Sequence, residues 1–514
     1  MKRVRGDGEG EDPVDEAAEV AELDEAGARR LALRLERAVS RNLEARAASS
    51  EATRWVESEL ELDEAVAAMS AAAASPSVYV ALVRARAHET LSSLLAHENA
   101  DVATGVLRVL GELLEDQAEE EEERLVEALA GELAEAGAVG AALANWGRLQ
   151  QTHEGGGPAV EATVEFLERM HARDPETAEG LAAAKGFLGL AARSFLPATA
   201  ATEEAALAVS ELLSTAVMSG TEALAAQQQA PAERAAVLDP LLGLVNRLGR
   251  STKSISMPEA ETLSNVANAI ANLVQLPGWA EAFSAGQGVQ LMCKLLEKEG
   301  NGVVCAARLL SFATQDNSTF CEELVEAGGL VPIFSLWKLT EWPKKMAKRF
   351  GWGADEFTTL SESLVEVLHN ACSLLGHETM QQLRVWKKFN DNDGEAVVRA
   401  AQRWSEYRSV LAGRGLMVTE AATAELDQEE ADELLMQRLD AGYSTLTQLT
   451  LLIIWLACVP TPLQESLRKH IGSAVKAHGI RWHDVNAMLL DHKKRTGYDI
   501  YASITPQVQA LFLP

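Results

Sequence analysis

One pattern recurs along this chain and limits what it can fold into. A turn of small residues leads into an apolar helix, then a polar turn, then a longer apolar helix. Glu135-Ala136-Gly137-Ala138-Val139 opens one copy ahead of Ala141-Ala142-Leu143. Ser284-Ala285-Gly286-Gln287-Gly288-Val289 opens another ahead of Leu291-Met292 and Leu295-Leu296. Glu326-Ala327-Gly328-Gly329-Leu330-Val331 opens a third ahead of Ile333-Phe334 and Leu336. Gly286 and Gly328 are 42 residues apart, inside the ~40–47 of armadillo and HEAT units. More divergent copies fall around Ala87, Gly186 and Leu238, at spacings of about 50. The glycine ends one helix and permits a tight turn into the next. Such a unit buries its apolar face only against its neighbours. The pattern therefore predicts an all-α, armadillo/HEAT-like right-handed α-solenoid with atypical helical caps.

Composition agrees. Aromatics supply only 5% of the 514 residues and there are 15 prolines, while much of the 47% hydrophobic content is alanine, the best helix former. That mixture argues against a β-sandwich or barrel. The formal net charge is −30, which leaves no broad basic face to neutralise phosphates, so direct nucleic-acid binding is not expected. Basic peptides suit an acidic surface better. Cys293, Cys305, Cys321, Cys372 and Cys458 form no CxxC pair and read as free, buried thiols of a reduced compartment. Charges rather than an apolar run follow Met1, so no signal peptide is expected. The most apolar stretch, Leu449 to Val459, is far short of the ~20 residues a membrane span needs and reads as a core helix.

The chain divides by composition. Residues 1–27 are an acidic tail expected to be disordered, with Lys2, Arg3 and Arg5 at its start, and helix is expected from near Ala26. Residues 28–86 read as a helical N-terminal cap, 87–411 as armadillo-like repeats, 412–432 as an acidic linker and 433–514 as a helical C-terminal region. Loops are predicted at Thr152–Pro158, Ser251–Pro258, Trp342–Gly353 and Ala412–Ala424. Lys344, Lys345, Lys348 and Arg349 form a basic exception, flanked by Trp337, Trp342 and Trp352. Interleaved cations and aromatics can contact RNA, but against the global charge this is at most a local patch, and a solvated face is the plainer reading.

In armadillo solenoids the last helix of each unit lines a groove, and residues four apart on it share a face. Peptide-binding members such as importin alpha carry Trp and Asn at those rungs. Here the rungs pair Arg108 with Glu112, Glu165 with Arg169, Glu211 with Thr215, Asn268 with Asn272, Arg308 with Phe312, and Glu366 with Asn370. Asn272 and Asn370 match the asparagine; no rung carries Trp. Glu112, Glu165, Glu211 and Glu366 put carboxylates there instead, so the expected ligand is a basic peptide held by charge-assisted hydrogen bonds. The competing reading is an ordinary polar helix face.

Catalytic chemistry finds no support. Of four His-Glu pairs, at His88, His97, His153 and His377, none extends to HExxH. His97 precedes a helix, where a polar cap explains it, and His369 beside Asn370 reads as a groove or satisfied polar residue. His470, His478, His483 and His492 are spaced wrongly for one helix face, so no metal site is expected. There is no GxSxG elbow and no phosphate loop. Gly155-Gly156-Gly157 reads as a link. No cofactor and no reaction follow.

Specific stretches then become recognisable. Trp55-Val56-Glu57-Ser58-Glu59-Leu60-Glu61-Leu62-Asp63-Glu64 resembles the "MESELDLND" segment of the beta-catenin-like protein 1 family, and the likeness continues through Tyr79, Leu82 and Leu91 to His97-Glu98-Asn99-Ala100-Asp101-Val102. Gly286 to Met292 is similar to that family's "GEGLQLM", Lys388 to Glu395 to "KFTENDSEK", and Glu433 to Gly442 to "EFYLRRLDAG". The anchors keep family order over roughly residues 40–480. The resemblance implies an armadillo-repeat, spliceosome-associated nuclear protein of the Prp-nineteen-type complex. It implies binding of a basic, nuclear-localisation-type segment on a Myb-domain splicing factor. Lys2, Arg3 and Arg5 resemble the family's own localisation signal, and its reported self-association makes a homodimer an open option. The chain departs from the family in lacking the long charged N-terminal extension and in matching poorly from Pro197 to Pro258. A nuclear-import adaptor like importin alpha is the alternative with the same fold and ligand.

Overall fold

The computed structural model describes residues 23–48, 51–150, 157–196, 202–227, 229–298, 300–376, 379–417, 428–458, 463–497, 504 and 506–512. Lys2, Arg3 and Arg5, the glycine link at 155–156, His153, His377 and the centre of the acidic stretch at 418–427 lie outside them. Among the described residues regular structure is helical, with no strand. The helices fall into two compact units, one of Met1–Asn145 with Glu165–Asp174, the other of Trp146–Val164 with Pro175–Pro514.

The first unit opens with Glu25–Ala48, which begins inside the stretch expected to be a tail. The cause is local: Asp24 Oδ1 accepts the Gly27 amide at 2.7 Å, satisfying an amide that a helix start otherwise leaves unpaired. Val56–Ala67 packs between this helix and Ala100–Leu113, burying Leu35, Leu62, Val66 and Val106. Polar groups from two stretches singled out above meet here. The Arg46 guanidinium bridges Glu59 and Glu98 and lies 4.0 Å over the Trp55 ring. Asn99 donates to Glu59 at 3.1 Å while its own Oδ1 caps Ala100–Leu113. His97 accepts the Asn99 amide and contacts Asn42, so it braces the capping residue rather than capping the helix itself.

In the second unit the repeat has three helices, where the sequence pattern marked two. A short helix, such as Trp279–Ala285 or Ser318–Glu326, precedes the small-residue turn. Second helices follow and stack in series: Phe187–Ser194 on Pro231–Gly249, on Gly288–Leu296, on Leu330–Trp337. The third helices form a parallel series, Glu203–Ser219, Met257–Leu273, Val303–Thr314, Ala354–Leu374 and then Tyr443–Cys458. The apolar run from Leu449 is, through Cys458, the core of that last helix, with Leu449, Leu452, Ile454 and Leu456 fully buried and Trp455 half-buried; Val459 lies outside the described residues. Among the described residues no single helix is long and apolar enough to cross a membrane.

Two predicted boundaries are corrected, and one long helix proves to be broken. Trp342–Gly353 is not all loop, because Lys344–Phe350 is helical and anchored by buried Met346. Gln428–Asp440 begins inside the acidic stretch read as a linker. Met380–Gly413 runs across a break at Asp391–Gly394, where Asn392, Asp393 and Gly394 are successively left-handed with φ of 53°, 54° and 75°. Asn and Asp tolerate that conformation better than other side chains. At Gly394 a second constraint applies, since an added Cβ would lie 2.5 Å from the His470 ring of Gln464–Ala477.

These two constraints separate by mutation. Gly479 has φ of 66° with nothing near its Cβ position, so Gly479→Ala should destabilise by about 1–2 kcal/mol through backbone strain alone. Gly394→Ala should destabilise by about 2–5 kcal/mol because steric overlap adds to the strain. Urea unfolding midpoints of the full chain check this; equal shifts would mean His470 moves aside freely.

Candidate peptide-binding face

The rung residues all fall on third helices of their repeats, and those of the second unit stack in series. In the first unit, Arg108 is exposed and Glu112 half-buried on Ala100–Leu113. Glu112 has no cationic partner among the described residues. Glu165 does: Arg169, one turn along, holds it at 2.7 Å, donates to the Gly111 carbonyl at 2.6 Å and reaches Glu115 at 3.5 Å. The sequence register placed Arg169 beside Glu165, but only the fold brings Gly111 and Glu115 to the same guanidinium.

In the second unit, Glu211 and Thr215 are exposed on Glu203–Ser219. Burial and the negative charge of Glu261 on the neighbouring Met257–Leu273 helix push the Glu211 carboxyl up. Glu261, which the rung pattern missed, is thus part of the same acidic face. Asn268 and Asn272 are half-buried, and the Asn272 amide donates to the Asn268 carbonyl at 3.0 Å. Arg308 is exposed and Phe312 half-buried on Val303–Thr314. Glu366 is half-buried on Ala354–Leu374; burial pushes its carboxyl up, against the pull of a hydrogen bond with Ser311. Neither Glu211 nor Glu366 has a cationic partner among the described residues. Asn370 is buried, and its amide donates to Thr314 Oγ1 at 3.2 Å, tying its helix to the one before. Asn265 does the same two steps earlier, donating to Ser210 Oγ at 3.2 Å.

The remaining chemical candidates are packing groups. Burial pushes the Cys293 and Cys321 thiols up to about 12 and those of Cys305 and Cys458 up to about 11, with Cys372 also raised, so none is a thiolate at neutral pH. No group of three His, Cys, Asp or Glu among the described residues could hold a metal ion. His88 is buried 3.7 Å from Glu132. His470 packs on the Asn392–Gly394 turn and His483 is exposed beside Asp484.

Three-helix repeats stacked through alanine-rich third helices, with a polar and acidic outer face, define a helical-repeat protein of the armadillo class. The chain belongs to the family described as "Catenin-beta-like, Arm-motif containing nuclear", whose sequence model matches residues 10–490. It is 27% identical over 433 residues to Beta-catenin-like protein 1 of Homo sapiens, covering 82% of this chain and 73% of that protein. The Rattus norvegicus protein of that name is likewise 27% identical over 82% of this chain and 73% of its own. The Schizosaccharomyces pombe homolog is 23% identical over 86% of this chain and 74% of its own. A solved structure from work on the interaction between cadherin and beta-catenin aligns with 95% of this chain and 95% of its own at 13% identity and a TM-score of 0.42.

His369 gives the face a pH signature. Burial pushes its imidazole down to about 4, against the pull of its Asn370 hydrogen bond, with His492 adding repulsion. Unfolding returns it to the ordinary 6.5, so the unfolded chain binds more protons between the two values. Its contribution to stability is whole above the unfolded value and lost as pH falls through that window. From pH 7 to 5 the loss should be about 2 kcal/mol. His369→Gln should flatten the fall in Tm over that range, and an unchanged slope in the variant would contradict the assignment.

Proposed function

We propose that this chain is a non-catalytic nuclear scaffold of the pre-mRNA splicing machinery that captures basic, nuclear-localisation-type segments of partner proteins. The observation that carries this reading is a set of carboxylates on third helices, Glu112 in the first unit and Glu211, Glu261 and Glu366 in the second, that make no ion pair with a cation among the described residues. A Lys or Arg side chain supplies the missing charge, and the asparagines at 268 and 272 offer amides and carbonyls to its backbone. The nuclear setting is supported by the family's description. The splicing role and the Myb-domain partner rest on the sequence resemblance.

Glu112→Lys and Glu211→Lys leave the core untouched and should each weaken a fluorescent Lys/Arg octapeptide roughly fivefold, with affinity falling as salt rises. Unchanged anisotropy titrations in both variants would remove the carboxylate face as the binding surface. Affinity purification of the full chain from nuclear extract separates the two roles that share this ligand. Recovery of the Myb-domain factor with its splicing complex supports the scaffold. Recovery of transport receptors with varied cargo and no splicing factors would instead support an importin-alpha-like adaptor.

A further inference from the structure

The Lys344–Phe350 helix is opposite in sign to the rest of the chain. Lys344, Lys345, Lys348 and Arg349 are all exposed, and none has a carboxylate partner among the described residues. Their spacing puts them within about 140° of one helix face. Lys344 with Lys348, and Lys345 with Arg349, are like charges one turn apart and repel each other. This short helix therefore does not hold itself together.

A run of rings holds it. The Arg403 guanidinium lies 5.2 Å from the Phe357 ring, and Phe357 meets Trp342 edge-on at 5.5 Å. Trp342 lies against Trp352 at 4.6 Å, Trp352 against Phe350 at 4.7 Å, and Arg349 lies 5.9 Å from the Phe350 ring. Trp342 is buried, whereas Phe350 and Trp352 are half-buried and keep part of their faces open. Arg399 Nη2 donates to the Leu339 carbonyl at 2.5 Å and fixes the approach to the segment. The fold thus builds a firm support under four mutually repelling cations and leaves ring surface beside them.

We propose that this helix is a docking surface for a short acidic segment of a partner protein that carries an aromatic or apolar side chain. The carboxylates pair with the four cations, and the side chain rests on Phe350 and Trp352. Extent favours a peptide over a nucleic acid. The basic face is only about 8 Å long and is flanked in sequence by exposed Glu341 and Asp355. A continuous phosphate chain would run onto those carboxylates, whereas a short acidic segment ends within the patch.

The test uses the full chain with two labelled probes, a peptide of glutamates around one central Phe and an oligouridylate of equal length. The peptide should bind in low salt and weaken about tenfold in the Lys344→Glu/Lys348→Glu variant, where two attractions become repulsions. Replacing its Phe by Ala should weaken it further, and Glu112→Lys should leave it unchanged, so this surface stands or falls apart from the carboxylate face. Circular dichroism and Tm report whether each variant stays folded, and Lys345→Gln serves as a milder second variant. No binding of the peptide to the parent chain, or equal binding to the reversal variant, would overturn the proposal. Oligouridylate binding that the reversal abolishes, with no peptide binding, would assign the surface to nucleic acid instead.

Discussion

Everything in this fold depends on each repeat covering the apolar face of the next. No third helix of the second unit has a core of its own: Val266 and Ile270, Leu309 and Leu310, and Leu364 and Leu368 are buried only because the neighbouring repeats lie on them. Small residues let those helices approach. Ala269, Ala306, Ala307 and Ala371 are fully buried, and the turns between second and third helices come closer still. The Gly302 amide donates to the Gly249 carbonyl at 3.0 Å, and Asn301 donates to Ser251 and Lys253 carbonyls at 3.0 and 2.8 Å. Any Cβ on Gly302 would lie 2.7 Å from the Gly249 backbone. Neighbour contact, rather than helix propensity alone, carries the stability of such short helices.

Apolar stacking is non-directional, so register needs polar ties. Asn265 to Ser210, Gln275 to the Phe312 carbonyl and Asn370 to Thr314 each join one third helix to the next. Each tie uses an amide near the helix face where a peptide-binding asparagine would stand. Asn370 is the clearest case, because its side chain is buried and committed to Thr314. Among the carboxylates Glu366 makes such a tie through its hydrogen bond with Ser311 on the preceding third helix, whereas Glu211 and Glu261 make none among the described residues. Burial and the charge of Glu261 raise the cost of ionising Glu211, which is a local penalty in the free chain. Labour is thus only partly divided, with amides and Glu366 fastening neighbours while Glu211 and Glu261 are exposed.

Much of this was legible because turns are chemically strict. Gly137, Gly186 and Gly328, which marked the repeats, all have positive φ between a first and a second helix, a conformation that favours glycine. The stretch Lys388 to Glu395 stood out for a related reason: its Asn, Asp and Gly occupy three consecutive left-handed positions. What escaped were features set by tertiary contact. The short first helices lack enough periodicity to announce themselves, and the Lys344–Phe350 helix contradicts local electrostatics until its aromatic support is in view. Nor does spacing tell that Arg169 closes over Glu165 and Glu115 from the side, since Glu115 is more than fifty residues away in sequence.

A chain with 76 acidic and 46 basic residues could neutralise its arginines more than twice over, and most buried or half-buried ones are in fact paired, as Arg46, Arg173 and Arg408 are. Against that background the groups left without a partner carry information. On the third helices they include the carboxylates Glu112, Glu211, Glu261 and Glu366 beside the exposed Arg108 and Arg308. On the Lys344–Phe350 helix they are cations, in a protein where a carboxylate is the easiest partner to find. Self-repulsion works against the folded state in both places, and in both it is held by packing that lies behind the charged side chains rather than between them. A group of opposite charge would relieve that repulsion without rearranging the core, because the packing lies behind the charges.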